Sequence, residues 1–357
     1  YEPFSQRAIS GTSHESNCLL GPYMCQYSKY LAKQWNGDNK FYYTAGADAI
    51  SVGNWMNRYF NEGDLIVEVD FSTYDGTQSL ESHLFERDEL IRAGIADFPS
   101  ALDVFDHQKN MRGYTGDGLV YYVPNGRNSG DPNTSCGNSL MTGATAEFVL
   151  YRVFGSTDGV HIAVMGDDNT SIVPACLANG RDLDDMKIAI ETEFLKFGFK
   201  AKVKLHYTVA SAEFCSAVFW PAVVNGSETF VLGPKPGKLM PKMGYSIKEL
   251  SKGEVKGMFL GYQTAVAHVP ILRVYVNSML NKMSHVQEAW YVDPEAKYKC
   301  LASQGVTASP NLGVFFMERY DYDLPTVESS LRQVLDSSTL DDIVGWSFLE
   351  AIRLIDV

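Results

Sequence analysis

Three groups of side chains in this sequence have the types and spacing for chemistry on a charged ligand. Asp167 and Asp168 lie side by side in Gly166-Asp-Asp-Asn169, between two apolar runs. Asp70 nearly closes the run Leu65-Ile-Val-Glu-Val-Asp-Phe71, and Asp75 follows it five residues later. Ser129, Gly130, Thr134 and Asn138 are spaced along a small-residue stretch between these two acidic sites. Adjacent carboxylates repel unless a cation neutralises them, and an all-oxygen donor set suits the hard ions Mg²⁺ or Mn²⁺. Taken alone, Gly-Asp-Asp is more often a plain polar turn, because three-residue motifs recur by chance. A carboxylate at the end of a strand that reads as buried is a stronger signal, since burying it unpaired is costly.

These residues need rigid elements to hold them. Val160, Ile162 and Val164 alternate with His161, Ala163 and Met165, the period of a strand. A second strand is predicted over 170–173, with Gly166 and Asn169 tolerating the positive φ of a tight hairpin. In the Asp70 run, Leu65, Val67, Val69 and Phe71 share one face, and Ile66, Glu68 and Asp70 the other. Ser135, Cys136, Gly137, Gly143, Ala144 and Ala146 leave the helix predicted to run to about 154 slim at one end, for close packing on a sheet or for the approach of a backbone or ligand. Thr134 or Ser135 is predicted to cap that helix.

Elsewhere the pattern is mostly helical. Pro22 suits a first helical turn, and Tyr23, Tyr27, Tyr30 and Leu31 form one stripe behind it. Further helices are predicted over 48–61, from Leu80 through Leu84 and Ile91 to near Gly94, and over 183–197. Residues 95–127 read as a turn-rich insertion ending in a strand over 118–123. Residues 214–220 and 228–232 resemble a short antiparallel pair, followed by a basic turn and helices over 267–286, 294–302, 327–335 and 339–357.

At 357 residues, with 45% apolar and 20% charged side chains, the chain can bury a large core and form two or three subdomains. No run approaches the roughly 18 apolar residues of a membrane span. The start at Tyr1 and a helical pattern still running at Val357 predict a fragment open at both ends. The six cysteines show no paired metal spacing and read as reduced core thiols, pointing to a reducing compartment. A net charge of −13 argues against a protein that simply coats nucleic acid. Two strips are nonetheless basic: Lys196, Lys200, Lys202 and Lys204 in one, Lys235, Lys238 and Lys242 in the other.

Asp70-x4-Asp75, Ser129-Gly130-x3-Thr134-x3-Asn138 and Gly166-Asp167-Asp168 resemble, in order and spacing, motifs A, B and C of viral RNA-dependent RNA polymerases. The tombusvirus-like and nodavirus-like enzymes of positive-strand viruses look closest. Arg7-Ala-Ile resembles the tail of motif F, Leu195-Lys-Phe-Gly-Phe-Lys-Ala-Lys motif D, and Glu213-Phe-Cys-Ser motif E. The likeness covers roughly residues 1–245. It implies an α/β (α+β) right-hand fold with an antiparallel-sheet palm, helical fingers and a helical thumb. Fingers would take 1–64 and 76–127, the palm 65–75 and 128–232, and the thumb 233–357.

The resemblance also implies roles. Asp70 and Asp167 would ligate two Mg²⁺ or Mn²⁺ ions, with Asp168 weaker and the Phe71 carbonyl contributing, because neighbouring strands lie roughly 4.8 Å apart. Asp75, with Asn138 and Ser129 or Thr134, would accept the 2′-hydroxyl that marks a ribonucleotide, Gly130 giving the loop its freedom. Tyr74 would point away. Arg7 would contact the triphosphate, Lys200 or Lys202 would protonate the departing pyrophosphate, and Lys235, Lys238 and Lys242 would touch the duplex backbone. Partners would be an RNA template, the nascent strand, NTPs and other viral replication proteins. The setting would be the host cytoplasm, in membrane-associated replication complexes. The alternatives are a reverse transcriptase and a non-catalytic metal- or RNA-binding domain.

Overall fold

The computed structural model describes residues 11–244, 246, 249–289, 305–337 and 346–356. Arg7, Cys300, the helix predicted over 294–302 and the start of the terminal helix lie outside them. Two compact units emerge, one from residues 1–45 and 61–207, the other from 46–60 and 208–357. Both mix helices and sheets, as an α/β chain should. Among the described residues no helix is long and apolar enough to cross a membrane.

The first unit is built on a five-stranded sheet in the order β1 (Phe41–Tyr43), β5 (His161–Met165), β6 (Asp168–Val173), β2 (Leu65–Phe71), β7 (Ala201–His206). All pairs are antiparallel except β1 with β5. The alternation read in the sequence decides which face is covered. Leu65, Val67, Val69 and Phe71 join Val160, Ile162 and Val164 in one core with helices α1 (His14–Gln34), α5 (Thr134–Phe154) and α7 (Leu183–Lys196). Asp182 caps α7, accepting from the backbone of Asp184 and Asp185.

Several expectations need correction. Pro22 lies inside α1, which begins at His14 with Ser13 as its cap, and Tyr30 is exposed while Leu20 and Met24 are buried. The 95–127 stretch is not mainly turns: it holds α4 (Pro99–His107) and a hairpin of β3 (Asn110–Tyr114) with β4 (Val120–Pro124). In α3 (Leu80–Arg92), Leu80, Leu84 and Ile91 face outward, and the buried face is His83, Glu86 and Leu90. That inversion has a cause: Glu86 forms a buried ion pair with Arg127 and also accepts from Asn133 Nδ2 at 2.9 Å. Apolar periodicity cannot report a face whose filling is ionic. Asn169 is a buried strand residue rather than a turn residue, its amide donating to the Ala163 carbonyl at 3.2 Å. Of the described cysteines only Cys136 is buried; Cys18, Cys25, Cys176 and Cys215 are exposed, so they are not core thiols.

The second unit has its own sheet, β10 (Ser227–Pro234), β9 (Ala217–Val224) and β11 (Val306–Ala308), with β8 (Glu213–Phe214) also on β9. Helix α2 (Ala49–Tyr59) belongs to this unit, with Ala49 and Ile50 packing on its β-sheet core. The helix expected over 267–286 is shorter, α10 (Leu272–Lys282), with Ile271 at φ +66° just before its first turn, and a separate helix α9 (Lys252–Ala265) precedes it.

Candidate active site

β5 and β6 form a two-residue hairpin: Met165 pairs with Asp168, leaving Gly166 and Asp167 at the tip. Gly166 has φ +65° and Asp167 does not, the pattern of a type II′ turn with glycine first. On the other side of β6, β2 runs antiparallel in register from Leu65↔Val173 to Val69↔Asn169. The pairing stops there, and the next residues along the two strands are Asp70 and Asp168. On its far side Asp70 pairs directly with Lys202 of β7. Asp70 and Asp168 are exposed and Asp167 is half-buried, so the acidic groups gather at one end of the sheet. Asp70 was expected to be buried. It is the one exposed residue of an otherwise buried strand, so the hydrophobic run positions the carboxylate without desolvating it.

Helix α5 ties these segments together. Asn138 Nδ2 donates to Asp75 Oδ1 at 2.8 Å, the pairing expected from the sequence. One residue on, Ser139 Oγ accepts from the Gly166 amide at 2.7 Å and donates to the Ser135 carbonyl at 2.8 Å. Thr142 Oγ1 donates to the Tyr74 hydroxyl, also at 2.8 Å. Residues 135, 138, 139 and 142 recur at helical spacing, so one polar stripe reaches both the turn after Asp70 and the Gly166-Asp167 tip. At the slim end of the helix the close neighbours are side chains rather than backbone. A Cβ at Gly137 would lie 2.3 Å from Glu86 Oε1, and one at Gly143 would lie 2.7 Å from the Trp35 ring. Asn133 takes the cap position of α5, and Thr134 instead donates to the Asn128 carbonyl at 2.7 Å.

Tyr74 turns into the core. It is buried, and its ring stacks on Phe199 with centroids 5.1 Å apart. Burial pushes its phenol well up; the Thr142 hydrogen bond and the Arg127 charge pull it back, and the Asp167 charge pushes it up again. Thr73 holds this turn with φ +53°, in the left-handed region, and the next backbone contact is Ser72 N–H on the Lys200 carbonyl at 3.0 Å.

The remaining residues are distributed as follows. Phe71 places its ring in the core, T-shaped on Phe194, while its backbone pairs with Ala201. Lys200 and Lys202 are exposed, and Lys202 projects from the same face as Asp70. Ser129 and Gly130 are exposed in the loop before α5. In the second unit, Lys235 is buried with its ammonium 2.7 Å from Glu213, whereas Lys238 and Lys242 reach solvent. Ser139 and Thr142 were not singled out from the sequence, although a hydroxyl stripe on a helix with an apolar flank was there to be read. Replacing Ser139 with Ala should lower stability by about 1–2 kcal/mol through loss of the Gly166 hydrogen bond, visible as a lower urea midpoint at unchanged slope.

Among the described residues no group of three or more His, Cys, Asp or Glu side chains is arranged to hold a metal by itself. The donor set still suits Mg²⁺ or Mn²⁺: all-oxygen, solvent-facing, and drawn from adjoining strands. Mg²⁺ typically takes one or two carboxylates and completes its shell with water and substrate phosphate.

A family model described as viral RNA dependent RNA polymerase matches residues 97–311. The chain belongs to this family. It is 31% identical over 197 residues to a replicase polyprotein 1ab of beet yellows virus, covering 54% of the chain and 5% of that protein. It is 26% identical over 215 residues to an RNA-directed RNA polymerase of cucumber necrosis virus, covering 59% of the chain and 22% of that protein. A genome polyprotein of bovine viral diarrhea virus matches at 26% over 339 residues, 85% of the chain and 8% of that protein. The chain thus spans less than a quarter of each of these relatives.

Proposed function

We propose that this chain carries out template-directed RNA synthesis in viral replication, adding NTPs to a growing strand by attack of a 3′-hydroxyl on the α-phosphate. One observation carries the reading. Asp70 and the Asp167-Asp168 tip lie on adjoining strands, and Asn138, which holds Asp75, immediately precedes the Ser139 that binds the tip. Phosphoryl transfer of this kind needs positioning and charge neutralisation more than covalent chemistry.

Asp70, Asp167 and Asp168 would hold two Mg²⁺ or Mn²⁺ ions, with help from the Phe71 carbonyl. Bound there, such ions supply charge neutralisation to the attacking and leaving oxygens. The sugar is read by Asp75 and Asn138. Asn138 Oδ1 is a buried acceptor without a hydrogen-bond partner among the described residues, as suits a site that receives a hydroxyl donor. Ser129, Gly130 and Thr134 frame the nucleotide, and Arg7 contacts its triphosphate. Lys202, in register with Asp70, is the better placed of the two lysines to give a proton to pyrophosphate. Lys238 and Lys242 meet the RNA backbone; Lys235, committed to Glu213, is not counted with them. In this reading β2, β5, β6 and β7 form the palm, α1, α3, α4 and the β3–β4 hairpin belong to the fingers, and the C-terminal helices form the thumb. The partners are an RNA template and its product, with other viral proteins in a host replication complex.

Primer extension with NTPs against dNTPs, in Mg²⁺ or Mn²⁺, tests the proposal. NTPs should be strongly preferred, and Asn138→Ala should reduce that preference about tenfold or more, since a site built around a hydroxyl discriminates by what it leaves unpaired. A strong dNTP preference would indicate a reverse transcriptase. Metal and RNA binding without any incorporation would indicate a binding domain.

A further inference from the structure

The β3–β4 hairpin of the first unit has two unlike faces. Met111, Gly113, Tyr121 and Val123 turn inward and are half-buried, Tyr121 covering Gly113 and the Asn128 amide resting on Met111. The outward face carries Arg112 and Tyr114 on β3, with Val120 and Tyr122 on β4. Tyr114 is 67% exposed, Tyr122 60% and Val120 49%, an aromatic surface with polar edges on a ribbon that has only two strands. Arg112 pairs across the strands with Tyr122, and its guanidinium lies 5.4 Å from the Tyr114 ring centre. Tyr122 is held in place as its hydroxyl donates to Asn110 Oδ1 at 2.8 Å. Local charge is opposite to that of the whole chain. Between Asp106 and Asp131 the one acid is Asp117, against Lys109 and Arg112, with Arg127 neutralised by Glu86, while the chain carries −13. β4 also runs directly into the loop that bears Ser129 and Gly130.

Exposed aromatic rings beside a cation, continuous with a nucleotide-holding loop, match what unpaired bases need. Every base has a π-face to stack, and each stack is sequence-tolerant. We propose that the outward face of this hairpin is a stacking platform for single-stranded RNA, with Tyr114 and Tyr122 taking bases and Arg112 a phosphate. The polymer's identity rests on the polymerase reading; the platform itself is tested by binding alone.

The test is fluorescence anisotropy on the full chain with a short 5′-fluorescein oligoadenylate, and with an RNA duplex as comparison. Tyr114→Val and Tyr122→Val keep strand propensity and remove the ring. Each should weaken single-strand binding about fivefold or more, with little change on the duplex. Tyr114→Phe and Tyr122→Phe should bind as the parent does. Arg112→Gln should lower the slope of log affinity against log salt by about 0.7, one phosphate contact on a single strand. Unchanged single-strand affinity in the Val variants overturns the platform, as does an equal loss on the duplex. A change in sedimentation with RNA affinity intact would also overturn it, by marking the face as a protein contact. Absent incorporation by a parent chain that still shows the ring-dependent binding would sink the polymerase reading and leave the platform standing.

Discussion

Asp167→Ala is expected to abolish nucleotide incorporation while leaving the fold almost untouched. Asp167 sits at a hairpin tip, half-exposed, on a turn whose shape is set by Gly166 and whose position is set by Ser139. Substitutions at such half-exposed turn positions usually stay within about 0.5 kcal/mol. Its proposed contribution is charge neutralisation worth several kcal/mol in the transition state, equivalent to about a thousandfold or more in kcat. Single-turnover incorporation and a thermal melt on the same sample separate the two effects. Full incorporation by the variant would refute the assignment of the site. A melt lowered along with activity would make Asp167 a structural residue instead.

The second large effect is expected within the second unit. Arg319 is 3% exposed in its side chain and contacts Glu213 at 2.7 Å and Asp356 at 3.1 Å. Asp356 also accepts from the Tyr320 hydroxyl at 2.9 Å and from the Gly237 amide at 2.8 Å. Burial pushes the Asp356 carboxyl up even against Arg319, which pulls it down. Burial acts the same way on Glu213, but the hydrogen bonds from Lys235 and Arg319 outweigh it and hold that carboxyl below its usual range. Arg319→Ala would strand a buried carboxylate, and breaking such a pair typically costs about 3–5 kcal/mol. Hydrogen exchange in β9 and β10, or urea unfolding, should register the loss. Arg319→Met with Asp356→Leu should recover much of it, because an apolar replacement of a whole buried pair is often tolerated. A single variant as stable as the parent would show that the cluster contributes little.

What could be read from residues alone was whatever follows from local period and order. The alternation in 65–71 and 160–165 defined strands, and Gly166 marked the tip between acidic residues. The Asp75–Asn138 contact, across 63 residues of sequence, was reached through likeness to a known motif order rather than through spacing. Where the sequence misled, a partner distant along the chain had changed the physics. Leu80 and Leu84 face solvent because Arg127 claims the other side of α3 for Glu86. Lys235 reads as a surface cation until Glu213 encloses it.

By itself, then, the order of amino acids determined the strand and helix identities near the site, the acidic character of the proposed metal-holding residues and the family. Backbone periodicity and residue type are local properties, and they survive without knowledge of neighbours. Only the tertiary structure decided that β2 lies between β6 and β7, bringing Asp70 into line with Asp168 and Lys202. It alone showed that Ser139 and Thr142 fasten the turn and the tip, and that α2 packs with strands more than 150 residues later. Register and burial are settled by which segments pack together, and that choice belongs to the whole chain.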